Sequence, residues 1–364
     1  MKKINSILMA AALMAGSLAS CTVNDEIDTQ SSQLTPSNKE IKFTTGITRG
    51  TAFTGTSFGA SDTYKVYAYS GSTNYIDGIT YPGGSAYWPE SGTLQFLALY
   101  PASLTPEVTY TESETKYGFS YTASTTIGNQ VDLMAATTSG SKTDDAVALN
   151  FSHLLSQISV KAKAATSLTV NIQSVEIHNV KTTGTFNGTE LTAGEALSNY
   201  AISFTAQDLP SDGTSLDLTS TEVLLLVPQT TSPWPTTAGS ACSISYNDGE
   251  SGSKGSYIKV VLTVKNGSDY VLGTNATAAT IYFPLAINWE KQKHYTYELC
   301  FGSSSSETDG YGYDGEIGDD DTEGSGNPQD ADLGGGDGQT APTVITFSTT
   351  VSSWTDVTAE EITF

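Results

Sequence analysis

The stretch Thr169-Val170-Asn171-Ile172-Gln173-Ser174-Val175-Glu176-Ile177-His178-Asn179-Val180-Lys181 decides the fold class. Val170 and Ile172, then Val175 and Ile177, stand with polar residues between them. That period is near two, the repeat of a strand with one face in a core, and not the 3.6 of a helix. Working outward, strand-like runs recur toward the N-terminus at Glu40–Arg49, Tyr64–Tyr69, Leu94–Tyr100, Lys116–Tyr121, Val131–Ala135 and Leu149–Lys163. Toward the C-terminus they recur at Val223–Val227, Tyr257–Val264, Thr280–Pro284 and His294–Phe301. Val223-Leu224-Leu225-Leu226-Val227 is apolar throughout and predicts a strand buried on both faces. Gly83-Gly84 and Asn247-Asp248-Gly249 mark loops. With no sustained helical period anywhere, the chain is predicted to be all-β and built as β-sandwiches.

Composition narrows the function classes. The chain has 364 residues, a length that suggests two domains. It carries 39 acidic against 16 basic residues, a net charge of −23. Such a field repels nucleic acid and anionic membrane surfaces, so no nucleic-acid partner is expected. Ser, Thr, Gly and Tyr are abundant and only 15% of residues are charged, as in extracellular β-proteins.

The N-terminus reads as an export signal. Lys2 and Lys3 precede the apolar run Ile7–Ala15, which at nine residues is too short for a bilayer that takes ~20. Leu18-Ala19-Ser20-Cys21 fits a lipobox at all four positions; the alternative is an ordinary signal peptide that happens to precede a cysteine. The expectation is a signal peptide over 1–20, a lipid on Cys21 as the membrane anchor, and a polar tether over 21–39. Asp25, Glu26 and Asp28 resemble a surface-export signal, which places the chain on the outer face of an outer membrane.

Ser303–Thr340 holds eleven acidic residues, ten glycines and no basic residue. It lacks the apolar surface to offset chain entropy, so a disordered linker is expected over 303–342. Strand pattern resumes over 343–364.

A search for chemistry finds no catalytic, metal or cofactor site. His153, His178 and His294 are too far apart for a local metal motif, and His153 reads as structural. Asp319, Asp321, Glu323, Gly324 and Asp330 approach a calcium loop, but without flanking helices a solvated linker is the expectation. Cys242 and Cys300 lie in strand-like runs and either pair in an oxidising compartment or stay buried thiols. Tyr81, Tyr87 and Trp88 are core aromatics or a sugar-stacking platform. Asp144 and Asp145 precede a strand and read as a solvated turn.

An ordered set of segments then carries a resemblance. After the lipobox come Ile41-Lys42-Phe43 with Thr48-Arg49, Tyr64-Lys65-Val66-Tyr67-Ala68-Tyr69, Tyr87-Trp88-Pro89 and Leu94-Gln95-Phe96-Leu97-Ala98-Leu99-Tyr100-Pro101. They continue with Val131-Asp132-Leu133-Met134-Ala135-Ala136, Leu149–Ile158, Trp289 with Lys293–Tyr297, and Val351-Ser352-Ser353-Trp354. The chain resembles the fimbrillin family, the Mfa-like pilins. That resemblance implies two transthyretin-like β-sandwich domains in tandem, set at 40–165 and 166–302. It implies a lipoprotein precursor trimmed by an arginine-specific extracellular protease. Trimming removes the first strand, and a C-terminal strand of another pilin subunit fills the groove.

The residues add their own support. Arg49 is the only arginine, so such a protease has one place to cut, between Arg49 and Gly50 in a glycine-bearing stretch. The cut removes Ile41, Phe43, Thr45 and Ile47, which share one face. Burying the three large ones is worth ~1.5–3 kcal/mol each, set against ~5–15 kcal/mol for a whole domain. Ile345, Phe347, Thr349 and Val351 repeat the same order at the same spacing and are the candidate donor strand, filling the groove by strand addition. The expected function is a structural or accessory pilin of surface fimbriae that supports adhesion. A monomeric surface glycan-binding lipoprotein is the alternative.

Overall fold

The computed structural model describes residues 34–47, 58, 61–220, 224–231, 255–302, 313–314 and 345–353, with backbone only at 47, 282–284, 313–314 and 345–353. The first strands are β1 (Pro36–Glu40), β2 (Phe43–Ile47), β3 (Tyr64–Ser70), β4 (Thr73–Tyr81), β5 (Tyr87–Pro89), β6 (Thr93–Tyr100), β7 (Thr109–Thr111) and β8 (Lys116–Thr122). Then come β9 (Met134–Ser141), β10 (Val147–His153), β11 (Ser156–Ala164), β12 (Leu168–Lys181), β13 (Thr183–Phe186), β14 (Leu191–Ala193), β15 (Leu197–Ala201), β16 (Gln207–Asp208) and β17 (Leu216–Asp217). The last are β18 (Leu224–Leu226), β19 (Gln229–Thr231), β20 (Ser256–Asn266), β21 (Asp269–Leu272), β22 (Ala279–Leu285), β23 (Ile287–Trp289), β24 (Lys293–Phe301), β25 (Tyr313–Asp314) and β26 (Ile345–Ser353). Among the described residues the only helices are two single 3-10 turns. The chain is an all-β sandwich protein.

β12 shows how the opening stretch works. Val170, Ile172, Val175 and Ile177 are all fully buried in one core. Ile172 and Val175 are three apart, so strict alternation would turn Val175 outward. A bulge at Gln173 resets the phase: Ile172 faces Leu262 and Ser174 faces Val261 on β20. A second irregularity between Ile177 and Val180, where Asn179 takes φ +58°, brings Val180 back to the same core.

A six-stranded sheet, β2-β10-β9-β6-β3-β4, is buried on both faces. Val66, Phe96 and Ala98 point to one core with Ile41, Trp88 and Phe151. Tyr67, Leu97 and Leu99 point to another, shared with Phe119, Phe186 and Leu191 of the four-stranded sheet β14-β13-β8-β7. The third core lies between the sheet β17-β11-β24-β26 and the sheet β15-β12-β20-β22-β25. β18 is buried on both faces as expected: Leu224 and Leu226 enter this third core, Leu225 and Val227 the second.

Several boundaries differ from the sequence reading. The run Leu149–Lys163 is two strands, β10 and β11. Between them Leu154 and Leu155 are consecutive buried residues, carrying the chain from one sheet into another. The strand expected at Val131–Ala135 starts later, at Met134, and runs to Ser141. The tether gives way to strand at Pro36, where a polar segment pairs with β5. Pairing also crosses residue 165. β11 runs parallel to β24, and β8 pairs with β13.

Candidate functional site

The residues expected to leave on cleavage form β1, which pairs with β5 in a two-stranded sheet, and β2, the margin of the six-stranded sheet among the described residues. Pro36 opens β1, where a missing N–H is tolerated. Ser37 is buried, and its Oγ accepts from the Lys39 N–H at 3.2 Å. The Lys39 ammonium donates to the carbonyls of Lys142 at 2.7 Å and Asp144 at 2.8 Å, in the turn between β9 and β10. Ile41 is only 2% exposed, and its N–H donates to Ala86 O at 2.8 Å. The Val147 N–H donates to Lys42 O at 2.8 Å, after which β2 runs parallel to β10, from Phe43 opposite Val147 to Ile47 opposite Phe151. Phe43 is half-buried and meets Tyr81 and Phe96 edge-on, with ring centroids 5.0 and 5.6 Å away. Ile41 and Phe43 thus fill the same core, as their spacing predicted, although Ile41 lies between two strands and not within one. The Ile47 side chain, Arg49, Gly50 and Cys21 lie outside the described residues.

The candidate donor is the edge strand of a different sheet. β26 runs antiparallel to β24, with Ile345 opposite Phe301, Phe347 opposite Leu299 and Val351 opposite Tyr295. Directly opposed residues share a face, and Phe301, Leu299 and Tyr295 all belong to the third core. The side chains of Ile345, Phe347 and Val351 lie outside the described residues. The structure therefore does not place donor and displaced strand in one sheet. The acidic stretch between β24 and β26 lies outside the described residues apart from 313–314, and so does the calcium-loop approximation at Asp319–Asp330.

The titratable groups are structural. His153 is fully buried, with its Nδ1 2.7 Å from Asp132 Oδ1. His178 Nε2 lies 2.6 Å from Glu176 Oε2, and its Nδ1 lies 3.0 Å from the Tyr257 hydroxyl, on whose ring it stacks. Burial works to raise the Glu176 carboxyl, but the His178 hydrogen bond and the Lys259 charge outweigh it and hold the group below the usual range. His178 and Tyr257 are buried, and the half-exposed Glu176 carboxylate is held by His178 and by Lys259 at 3.5 Å. Among the described residues no group of three or more His, Cys, Asp or Glu is placed to hold a metal. Trp88 and Tyr81 are core residues and Tyr87 is 46% exposed. A groove beside Trp289 and Lys291 is lined by Glu190, Thr192 and Gln229. The Trp289 ring is buried and its N–H donates to the Tyr297 hydroxyl at 2.8 Å, so it offers no stacking face. Cys300 is buried and its thiol donates to Glu298 at 3.7 Å; Cys242 lies outside the described residues.

His294 supplies a pH dependence. It is half-buried on β24, with Nε2 2.8 Å from Ser159 Oγ. Burial pushes its pKa down, Asp217 opposes this, and Lys161 adds to it; the net is below the ordinary imidazole value. On acidification the unfolded chain takes up this proton first, so stability falls as the pH drops below about 6.5. His294→Gln should flatten the loss of stability between about pH 7 and 5 in urea unfolding. A slope equal to wild type would show that His294 does not contribute.

A family model described as fimbrillin-like matches residues 48–317. No curated protein matches. Among solved structures, a candidate cell adhesion protein from Bacteroides ovatus is 18% identical at a TM-score of 0.41, over 72% of this chain and 92% of that one. One from Bacteroides uniformis is 16% identical at 0.41, over 87% and 99%. The fimbrial anchor protein Mfa2 from Porphyromonas gingivalis is 9% identical at 0.32, over 72% and 89%. These are distant likenesses.

Proposed function

Because the chain belongs to the fimbrillin-like family, and is a fimbrial, adhesion-type subunit and not an enzyme, we propose that it is exported as a lipoprotein on Cys21, trimmed after Arg49, and joined to neighbouring subunits by strand exchange. The observation that carries this reading is the placement of β1 and β2. Among the described residues β2 pairs with β10 alone and β1 with β5 alone, so both lie at the margin of their sheets. They precede the single arginine in the chain. A cut there frees both at once and uncovers the apolar sites of Ile41 and Phe43. The incoming strand is Ile345–Val351 or its counterpart in another subunit, entering in the direction of β2. For this chain to act as donor, β26 leaves the edge of β24.

The test is to incubate purified delipidated protein with an arginine-specific protease and follow oligomers by size. Cleavage at Arg49 should yield ladders on unboiled gels. A chain cut at Arg49 that stays monomeric would refute strand exchange. For the anchor, Cys21→Ala should move the protein from the membrane pellet to the soluble fraction. Continued pelleting after a wash that strips peripheral proteins would overturn the lipid reading.

A further inference from the structure

We propose that the turn between β9 and β10 is an ammonium-reading part of the strand slot. The slot then favours a partner strand with lysine two residues before an Ile-x-Phe pair and glycine three residues after that Phe. This deepens the strand-exchange reading and rests on β1–β2 being displaceable.

The occupant already in place defines the chemistry. The Lys39 ammonium meets two backbone carbonyls, Lys142 O at 2.7 Å and Asp144 O at 2.8 Å. The turn is held in shape by the Ser141 N–H, which donates to Asp144 Oδ2 at 2.8 Å, and by the Asp144 N–H, which donates to Ser141 O at 3.0 Å. Two convergent acceptors suit a group with three donors on a long stem, which among side chains is lysine. Charged donors make such bonds roughly twice as strong as neutral ones. When β1 leaves, both carbonyls lose their donor together.

The C-terminal strand of this chain supplies the apolar groups but not these. Setting Ile345 in the place of Ile41 and Phe347 in that of Phe43 puts Thr343 where Lys39 stands and Thr350 where Gly46 stands. Threonine is too short to reach the turn and has one proton to give. At Gly46 an added Cβ would lie 3.0 Å from Asn150 Oδ1, so Thr350 must push that exposed side chain aside. The lysine position, with a small further cost at the glycine position where exposed Asn150 gives way, therefore favours a strand unlike this chain's own, which points to an unlike subunit as the preferred partner.

The test uses the full chain nicked after Arg49 and synthetic peptides spanning residues 340–353, followed by displacement of the resident N-terminal segment. The T343K peptide should compete on the order of tenfold better than the wild-type peptide, and T343K with T350G better still. T343M, which keeps a stem but no charge, should stay near wild type. Equal competition by T343K and wild type overturns the proposal and leaves a second copy of this chain as good an occupant. Failure of every peptide to displace the segment overturns the underlying strand-exchange reading instead. A second measurement needs no cleavage. In the uncut chain Lys39→Met should raise amide exchange across β1 on the order of tenfold, and unchanged protection overturns the ammonium site by itself.

Discussion

An Arg49→Ala chain should remain monomeric under an arginine-specific protease at concentrations where the wild type assembles, while unfolding in urea like the uncut wild type. The reason is effective concentration. In the uncut chain β1 and β2 are tethered to their own sheet, and a short tether holds a segment at the order of millimolar. At micromolar protein an incoming strand with equal contacts is outcompeted on the order of a thousandfold, about 4 kcal/mol. The cut removes that advantage. What then holds the resident segment is its contacts: the buried Ile41, the aromatic edge contacts of Phe43, and the Lys39 ammonium on two carbonyls. Burial of the two apolar side chains accounts for ~1.5–3 kcal/mol each, which a strand of matching pattern replaces. Assembly of Arg49→Ala equal to that of wild type would sink the mechanism.

The second large effect concerns β18. Leu225→Ala and Leu226→Ala should each cost about 2–5 kcal/mol in chemical unfolding, because each side chain is almost wholly buried. The two open cavities in different cores, Leu225 in the second and Leu226 in the third, so their effects should nearly add. The double variant then approaches the ~5–15 kcal/mol of a typical domain and should be largely unfolded at 37 °C. The same variants test how far the second and third cores unfold separately. β18 pairs with β11 while its alternate side chains serve both cores, so either substitution should move a single transition. Two separate transitions, with Leu225→Ala moving only one, would show that the cores fold independently.

Much of this architecture was legible in the sequence because half-buried strands write a period of two. β3, β6, β8, β12, β20 and β24 all fall in runs that read as strands, β12 by its alternation, and the unbroken apolar run at Val223–Val227 marks a strand with two buried faces. What was not legible depends on partners distant in sequence. β1 reads Pro-Ser-Asn-Lys-Glu, with no apolar side chain, and it is a strand because β5 and the 142–144 carbonyls hold it. The break at Leu154–Leu155 hides inside an apolar run, since leucines at a sheet-to-sheet crossing look like leucines within a strand. The parallel pairing of β2 with β10 leaves no local mark, because register between segments a hundred residues apart is set by tertiary packing. For the site, the spacing of Ile41 and Phe43 identified the two apolar anchors. The cation contact of Lys39 carried no signal beyond a lysine in a polar segment.

β18 has a degeneracy of its own. Leu224, Leu225 and Leu226 are identical, so sliding the strand by one residue against β11 would still deliver a leucine to each core. The side chains that normally fix a strand's frame are here interchangeable. The frame is supplied from outside by two amides. Gln130 Oε1 accepts from the Leu225 N–H at 2.7 Å. Beyond the strand's other end, Gln229 accepts from the Lys181 N–H at 2.7 Å and donates to Lys181 O at 3.0 Å. Hydrophobic matching thus decides that this segment is buried, and two uncharged polar side chains decide which leucine faces which core.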